Sequence, residues 1–418
     1  MRSHPSNLLR SLSLSALNQI VSSGTNFFLG IYLIRILSLS EFGFYTICFS
    51  ASLLCVGLGN ALIFTPMVVN TPTKNILEKP VYAAEMLQIT GVLILLLIFA
   101  AALATSLSYI TALPHVYTEL GSATASTSAA FLLKEFVVRQ AYIKRKEGIA
   151  FKLNAITASL LSLCMITLNR NLIEISAATV LHIYSLSIYL AIYFCQDSID
   201  VCPHKFSNNI RSILKTSWND GRWSLAGAIV TWIQTQAYSY VILAVSGPAG
   251  TGLANTAKIM ISPFPFFVTA INQVSIQRLA TLRISNQAQM FNWGLRLAAG
   301  MTSLSLVYFF FILEFGDLVA STLIGKTLDE NLKLVTIAWC CSLVVQMLVS
   351  GGALQLQVLK RFRAITIANA ASATCSIGSA ILLFNYYGIF GAVLGGVIGD
   401  TILAILLWTL ILQEQRKI

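Results

Sequence analysis

The sequence predicts an all-α polytopic membrane protein of about 12 transmembrane helices, arranged as two parallel repeats of about six spans each. Three observations predict it. Apolar runs of about 20 residues, the length that crosses a bilayer as a helix, recur along the chain. Basic residues gather between alternate runs. A polar pattern in the first run returns 209 positions later, half of the 418-residue length. Composition agrees: 56% of the residues are hydrophobic and 10% charged, against about 25% charged in soluble domains. Mean hydropathy is +0.77. The net charge of +11 lies at the ends of apolar runs rather than in a polar domain, which excludes a nucleic-acid-binding reading.

In chain order, the spans fall at about 12–35, 43–69, 82–107, 117–138, 149–168 and 173–195. After a polar linker they resume at about 222–246, 252–277, 291–313, 332–357, 364–384 and 388–411. This gives an N-terminal bundle over 1–195, a cytoplasmic linker over 196–220 and a C-terminal bundle over 221–418. With the N-terminus inside, the inner segments hold Arg2, Arg10, Lys74 and Lys79, then Arg139, Lys144, Arg145 and Lys146. Lys205, Arg211 and Lys215 lie in the linker, and Arg278, Arg283, Lys360, Arg361, Arg363, Arg416 and Lys417 complete the inner set. Outer segments hold only Arg35, Arg170, Lys326 and Lys333. Dropping one span would invert every later loop, so both termini are expected on the cytoplasmic side. Arg2 and Arg10 precede a run too long, and too polar at Asn18, Gln19 and Asn26, for a cleaved signal peptide.

Gly24 to Thr46 organises the first half: an apolar helix ends at Arg35, Ser38–Glu41 turn, and Phe42-Gly43 opens the second run. Ser11, Ser15, Asn18, Ser22, Thr25 and Asn26 fall at helical spacing on about one face. At an offset of 209, Ser15 meets Ser224, Ser22 meets Thr231, Thr25 meets Gln234, Asn26 meets Thr235 and Gly43 meets Gly252. Six spans is an even number, so both halves enter from the same side, as parallel repeats do. Polar stripes facing lipid would go unsatisfied. They either line a shared cavity or hold helices together within each bundle.

The segment IRILSLSEFGFYT resembles the first hairpin of polysaccharide-type exporters in the multidrug/oligosaccharidyl-lipid/polysaccharide exporter superfamily. The resemblance extends to Gly252–Ile259, where alanine replaces the usual aromatic two residues after the glycine, and to Tyr387–Ala392. It implies two six-helix bundles around a central cavity that opens alternately to either side. It also implies an undecaprenyl-pyrophosphate-linked sugar repeat unit as substrate, flipped across a bacterial inner membrane for surface polysaccharide such as O-antigen or lipopolysaccharide. The lipid bilayer and polysaccharide assembly proteins would be its partners.

Ionisable groups inside spans cost about 2.5 kcal/mol or more to insert, so each needs a reason. Lys258 lies about 10 Å into the eighth span and has no acid within one turn of its own helix. It faces a cavity, snorkels to the outer interface or pairs with another helix. Arg296, in the ninth span, faces a cavity or snorkels. Lys134 is a cavity candidate, whereas Glu135 is placed to pair with Arg139 four residues on. Arg35 is a cavity residue or an interfacial anchor near Glu41. Asp400 is the deepest acid, near the midplane, and either binds a coupling cation or pairs with a buried base. His182 is expected as a hydrogen-bonded core residue. With Asn26, Ser22, Thr231 and Gln234 supplying hydroxyls and amides to sugars, these bases would compensate the desolvated pyrophosphate.

Two other classes compete with a lipid-linked oligosaccharide flippase. A cation-coupled drug extruder of the same layout would favour acids over bases in its spans, and here bases outnumber acids. A membrane polymerase or acyltransferase needs a catalytic site, and the longest outer loop, about 314–331, has no nucleophile-and-base arrangement. No phosphate-binding loop is present, and Cys195, Cys202 and His204 lack a fourth ligand for metal, so no enzyme activity, cofactor or metal is expected.

Overall fold

In hydrocarbon, a leucine- and alanine-rich segment can satisfy its backbone only as a helix or a closed barrel. This chain takes the first course. The computed structural model describes residues 5–71, 74–75, 77–111, 114–170, 175–196, 210–325 and 327–416. No strand occurs among them. The helices are α1 (Pro5–Ile36), α2 (Leu39–Gly59), a π-helical segment (Asn60–Phe64), α3 (Thr65–Asn70), α4 (Glu78–Thr111), α5 (His115–Ile143), α6 (Glu147–Arg170) and α7 (Ala177–Phe194). They continue as α8 (Ile210–Ile261), α9 (Pro263–Ser285), α10 (Gln287–Leu323), α11 (Glu330–Val358) and α12 (Phe362–Gln415).

Among the described residues, eight helical stretches are long and apolar enough to cross a membrane by length and composition. Two of them are divided by a glycine. Gly247 breaks α8 at φ 70° and Gly388 breaks α12 at φ 59°. This is the left-handed region that glycine alone enters without strain. The two arms of α8, the second continued by α9, are the predicted seventh and eighth spans. The two arms of α12 are the eleventh and twelfth. The second span is continuous from α2 through the π segment into α3.

Residues 210–220, given to the linker by sequence, are the first turns of α8. The preceding 197–209, with Cys202, His204 and Lys205, lie outside the described residues, as do Arg2, Lys326 and Lys417. A π turn widens the helix and leaves carbonyls without their ordinary partners. Here the carbonyl of Leu62 accepts the Ser217 hydroxyl of α8. Gly221, one turn later, lies against the backbone of Ala61 and Leu62, where a Cβ would collide.

The chain forms two compact units. The first comprises Met1–Leu29 and Phe44–Ile229, the second Gly30–Gly43 and Val230–Ile418. Phe64, Met67, Leu132, Phe136 and Leu153 centre the core of the first. Ile242, Ala254, Trp339, Leu343 and Ala392 centre that of the second. Small residues set close helix contacts in the second unit: Gly395 and Gly399 of α12 meet Ala380 and Ser376 of its other arm, as small-residue interfaces do in bilayers.

Candidate binding site

Glycine at 247 turns the chain back on itself, so both arms of α8 present residues to one place in the second unit. From the first arm comes Tyr238, from the second Lys258. The Lys258 ammonium donates to the Tyr238 hydroxyl at 3.1 Å. It stands 4.9 Å from the centre of the Tyr238 ring and 4.8 Å from that of Trp339 on α11. The two rings meet edge to face at 4.8 Å. Each is fixed by its polar tip: the tyrosine hydroxyl bonds Asn255 Oδ1 at 3.0 Å, and the Trp339 indole N–H donates to the Ala254 carbonyl at 3.0 Å. A cation between two aromatic rings gains from their negative faces, more so away from water.

The carboxylate of Asp400, on the second arm of α12, accepts from the Ser342 hydroxyl at 2.9 Å and from the Gln346 amide at 3.1 Å. Lys258 and Gln234 stand close enough to act on this carboxylate. Gln234 also donates to Ser372 Oγ at 3.1 Å, and Ser372 in turn donates to the carbonyl of Gly399 at 2.7 Å. Five predicted spans, the tenth being α11, thus converge on one polar cluster that holds both a cation and an anion. A lone charge in hydrocarbon would be far costlier.

The other predicted residues are placed as follows. The Arg35 guanidinium donates to the carbonyls of Thr322 and Leu323, the last turn of α10, with 3.0 Å to Leu323. A cation there complements the negative end of the helix. In the first unit, Glu135 pairs with Arg139 at 2.7 Å as the spacing predicts, and half-buried Lys134 stands beside them. Arg296 lies on an exposed face of α10. Asn26 accepts from Tyr184 of α7 at 2.7 Å, and Asn18 bonds both Tyr142 and Asn154, so these two stripe residues hold helices together. Ser22 is half-buried and Thr231 exposed. His182, expected in the core, is exposed on α7 instead, because the inward face of that helix is taken by Leu181, Tyr184, Ser185 and Ile188. Among the described residues no group of three metal-ligating side chains occurs.

Sequence reading missed Tyr238, Trp339, Ser342, Gln346 and Ser372. Aromatics in an apolar run look like packing. Ser342, Gln346 and Ser350, however, recur every four residues on α11, a stripe of the same kind as that in the first span.

No family model matches the sequence, and no curated protein does. Solved structures do match over nearly the whole chain. An inward-facing multidrug resistance MATE family transporter of the MOP superfamily superposes with a TM-score of 0.70 at 17% identity, covering 96% of this chain and 95% of the other. The lipid II flippase MurJ in an inward closed conformation gives 0.74 at 13% identity, over 96% and 87%. A MOP superfamily transporter from Pyrococcus furiosus, described by the reverse polarity of its binding pocket, gives 0.64 at 15% identity, over 97% and 94%. The chain has the fold of these transporters. At such identities the likeness speaks to architecture and leaves the cargo open.

Proposed function

We propose that the chain is a transporter working by alternating access, and that its cargo is an anionic lipid-linked oligosaccharide carried from the cytoplasmic to the outer leaflet. The observation that carries this reading is Lys258: an ammonium held inside a span by two aromatic rings and a tyrosine hydroxyl, in a fold shared with MurJ and MATE transporters. A pyrophosphate entering the second unit would meet a preorganised cation, and Asp400 in the same cluster already has two donors of its own. Arg296 and Lys134 are further candidate contacts for the head group, and Ser22, Asn26, Thr231 and Gln234 for sugars. Arg35 keeps the outer end of α1 attached to α10. In this reading the membrane is a bacterial inner membrane with both termini cytoplasmic, no catalytic step occurs and polysaccharide assembly proteins act alongside. Moving two negative charges out of a negative interior is favoured by roughly 4–5 kcal/mol per 100 mV, which helps export without an obligatory coupling ion.

The test is transport in vesicles. Purified protein reconstituted with undecaprenyl-pyrophosphate oligosaccharide should render the sugar accessible to an external glycosidase, and Lys258→Gln should abolish most of that signal. A second reading, cation-coupled export of a small molecule, is favoured by Asp400, whose carboxylate could bind the coupling ion. Extrusion of a cationic dye, lost in Asp400→Asn and unchanged in Lys258→Gln, would put it first.

A further inference from the structure

The first unit contains an apolar cavity of about 170 Å³ that the transport reading does not use. Its walls come from three elements: Ile89, Leu93 and Leu96 of α4, Leu62 of the π segment, and Leu214 and Trp218 of α8. The one hydroxyl in the wall, Ser217, is already committed to the Leu62 carbonyl. The recess is partly open, since Leu96, Leu214 and Trp218 of its walls are themselves exposed. An open apolar recess on a helix that crosses a bilayer is one that a hydrocarbon chain can enter. Only 17% of the apolar part of α4 is buried by protein, and its Leu95, Leu96 and Phe99 are exposed.

The neighbouring polar end is basic. Arg211 precedes Leu214 by three residues and Lys215 follows it; both are exposed. Lys74 lies 5.6 Å over the ring of Tyr82, which is two turns before Ile89 on the same face of α4. Lys79 opens the same helix. Among the described side chains on these two helix starts, the acids are Glu78, which accepts the Asn75 N–H, and Glu85. The arrangement offers an apolar recess for a chain and, about one turn away, cations for a phosphate.

We propose that this cavity binds the acyl chain of an anionic phospholipid from the leaflet at which α4 and α8 begin, with Arg211 and Lys215 on its phosphate. A phospholipid fits because the cations for its phosphate, Arg211 and Lys215, stand on the same helix as Leu214 and Trp218 of the recess wall. The lipid fills the gap between α4 and α8, and so seats the start of α8 on the π segment.

Native mass spectrometry on protein exchanged into mixed phosphatidylglycerol and phosphatidylcholine tests it. The unmodified protein should retain one phosphatidylglycerol after mild delipidation. Leu93→Trp, which fills the recess, should lower that retention at least fivefold, while Leu304→Trp on the exposed face of α10 should leave it unchanged. The double variant Arg211→Gln/Lys215→Gln should lose the preference for phosphatidylglycerol over phosphatidylcholine. A second measurement needs no core substitution: phosphatidylglycerol with a brominated chain should quench the emission component that disappears in Trp218→Phe, at fractions where brominated phosphatidylcholine does not. Equal quenching by both lipids, unchanged retention in a folded Leu93→Trp protein, or preferential displacement by undecaprenyl phosphate would each overturn the proposal.

Discussion

Gly43 and Gly252 touch backbone to backbone, and they do so reciprocally. A Cβ on Gly43 would fall on the carbonyl of Pro248 and close to the amide of Gly252; a Cβ on Gly252 would fall on the carbonyl of Leu39 and close to the amide of Gly43. Leu39 and Pro248 are separated by the same 209 positions as the two glycines. The contact is self-complementary in the way a two-fold interface is. An offset first visible as weak sequence similarity is thus a physical meeting of equivalent turns.

Neither glycine has room to accept a methyl group, because the atom in the way is a main-chain oxygen rather than the tip of a flexible side chain. Gly43→Ala and Gly252→Ala should each destabilise the protein by about 1–3 kcal/mol, the usual cost of overpacking. Gly227→Ala, at a helical position with open space around it, should be neutral or better. Thermal unfolding followed by size-exclusion chromatography checks all three; equal midpoints would show that the turns separate readily.

Charge at position 258 should matter more than shape. Lys258→Arg should keep most transport, Lys258→Gln should lose at least tenfold, about 1.4 kcal/mol, and Lys258→Glu nearly all. Expression of each variant is read in parallel.

Because Lys258 and Asp400 share one cluster, their removal should be non-additive. Each of Lys258→Gln and Asp400→Asn leaves an uncompensated charge in the membrane, and each should lower the unfolding temperature. The double variant, with neither charge, should recover part of the loss, a coupling of about 0.5–3 kcal/mol. Strictly additive losses would show that the two groups stabilise the fold independently.

Reporter fusions test topology. Fusions after Ile149 and Gln415 should read cytoplasmic, and those after Ala249 and Tyr387 external. The last two lie at the breaks, Ala249 just after Gly247 and Tyr387 just before Gly388, so an internal signal at either would move those turns to the wrong face and end the two-repeat reading.

In a cysteine-free background, Thr231→Cys and Ser22→Cys should react with a small water-soluble thiol reagent faster than Leu29→Cys, which is buried. Slow reaction at all three would assign the whole polar stripe to helix contacts, as Asn18 and Asn26 already are.

Hydropathy and the alternation of Lys and Arg were enough to reveal the helices, since a bilayer leaves the backbone little choice. The breaks at Gly247 and Gly388 fall at predicted span boundaries, between 246 and 252 and between 384 and 388, though the glycines that make them were not singled out. The Glu135–Arg139 pair followed from spacing alone. What sequence could not reveal was partnership across helices. Nothing local distinguishes Tyr238 or Trp339, which hold a cation, from Tyr240 or Trp232, which pack against each other at a tilt. Asp400 and Lys258 lie 142 positions apart. Asn18 and Asn26 lay on one stripe with Ser22, yet their partners Tyr142, Asn154 and Tyr184 come from three other helices.

Residues 30–43 belong to the second compact unit although they precede most of the first. Arg35 bonds the end of α10, and Gly30, Leu39 and Gly43 lie against Ile259, Gly252 and Pro248. During synthesis this hairpin therefore emerges early and waits, its contacts unmade, until more than 200 further residues have left the ribosome. The halves cannot mature one after the other. A chain truncated in the linker would lack the surface on which its own first hairpin rests, and a separately expressed second half would lack the segment that packs on its turn at Pro248. Co-expressing the pieces is the arrangement in which each finds what it is missing.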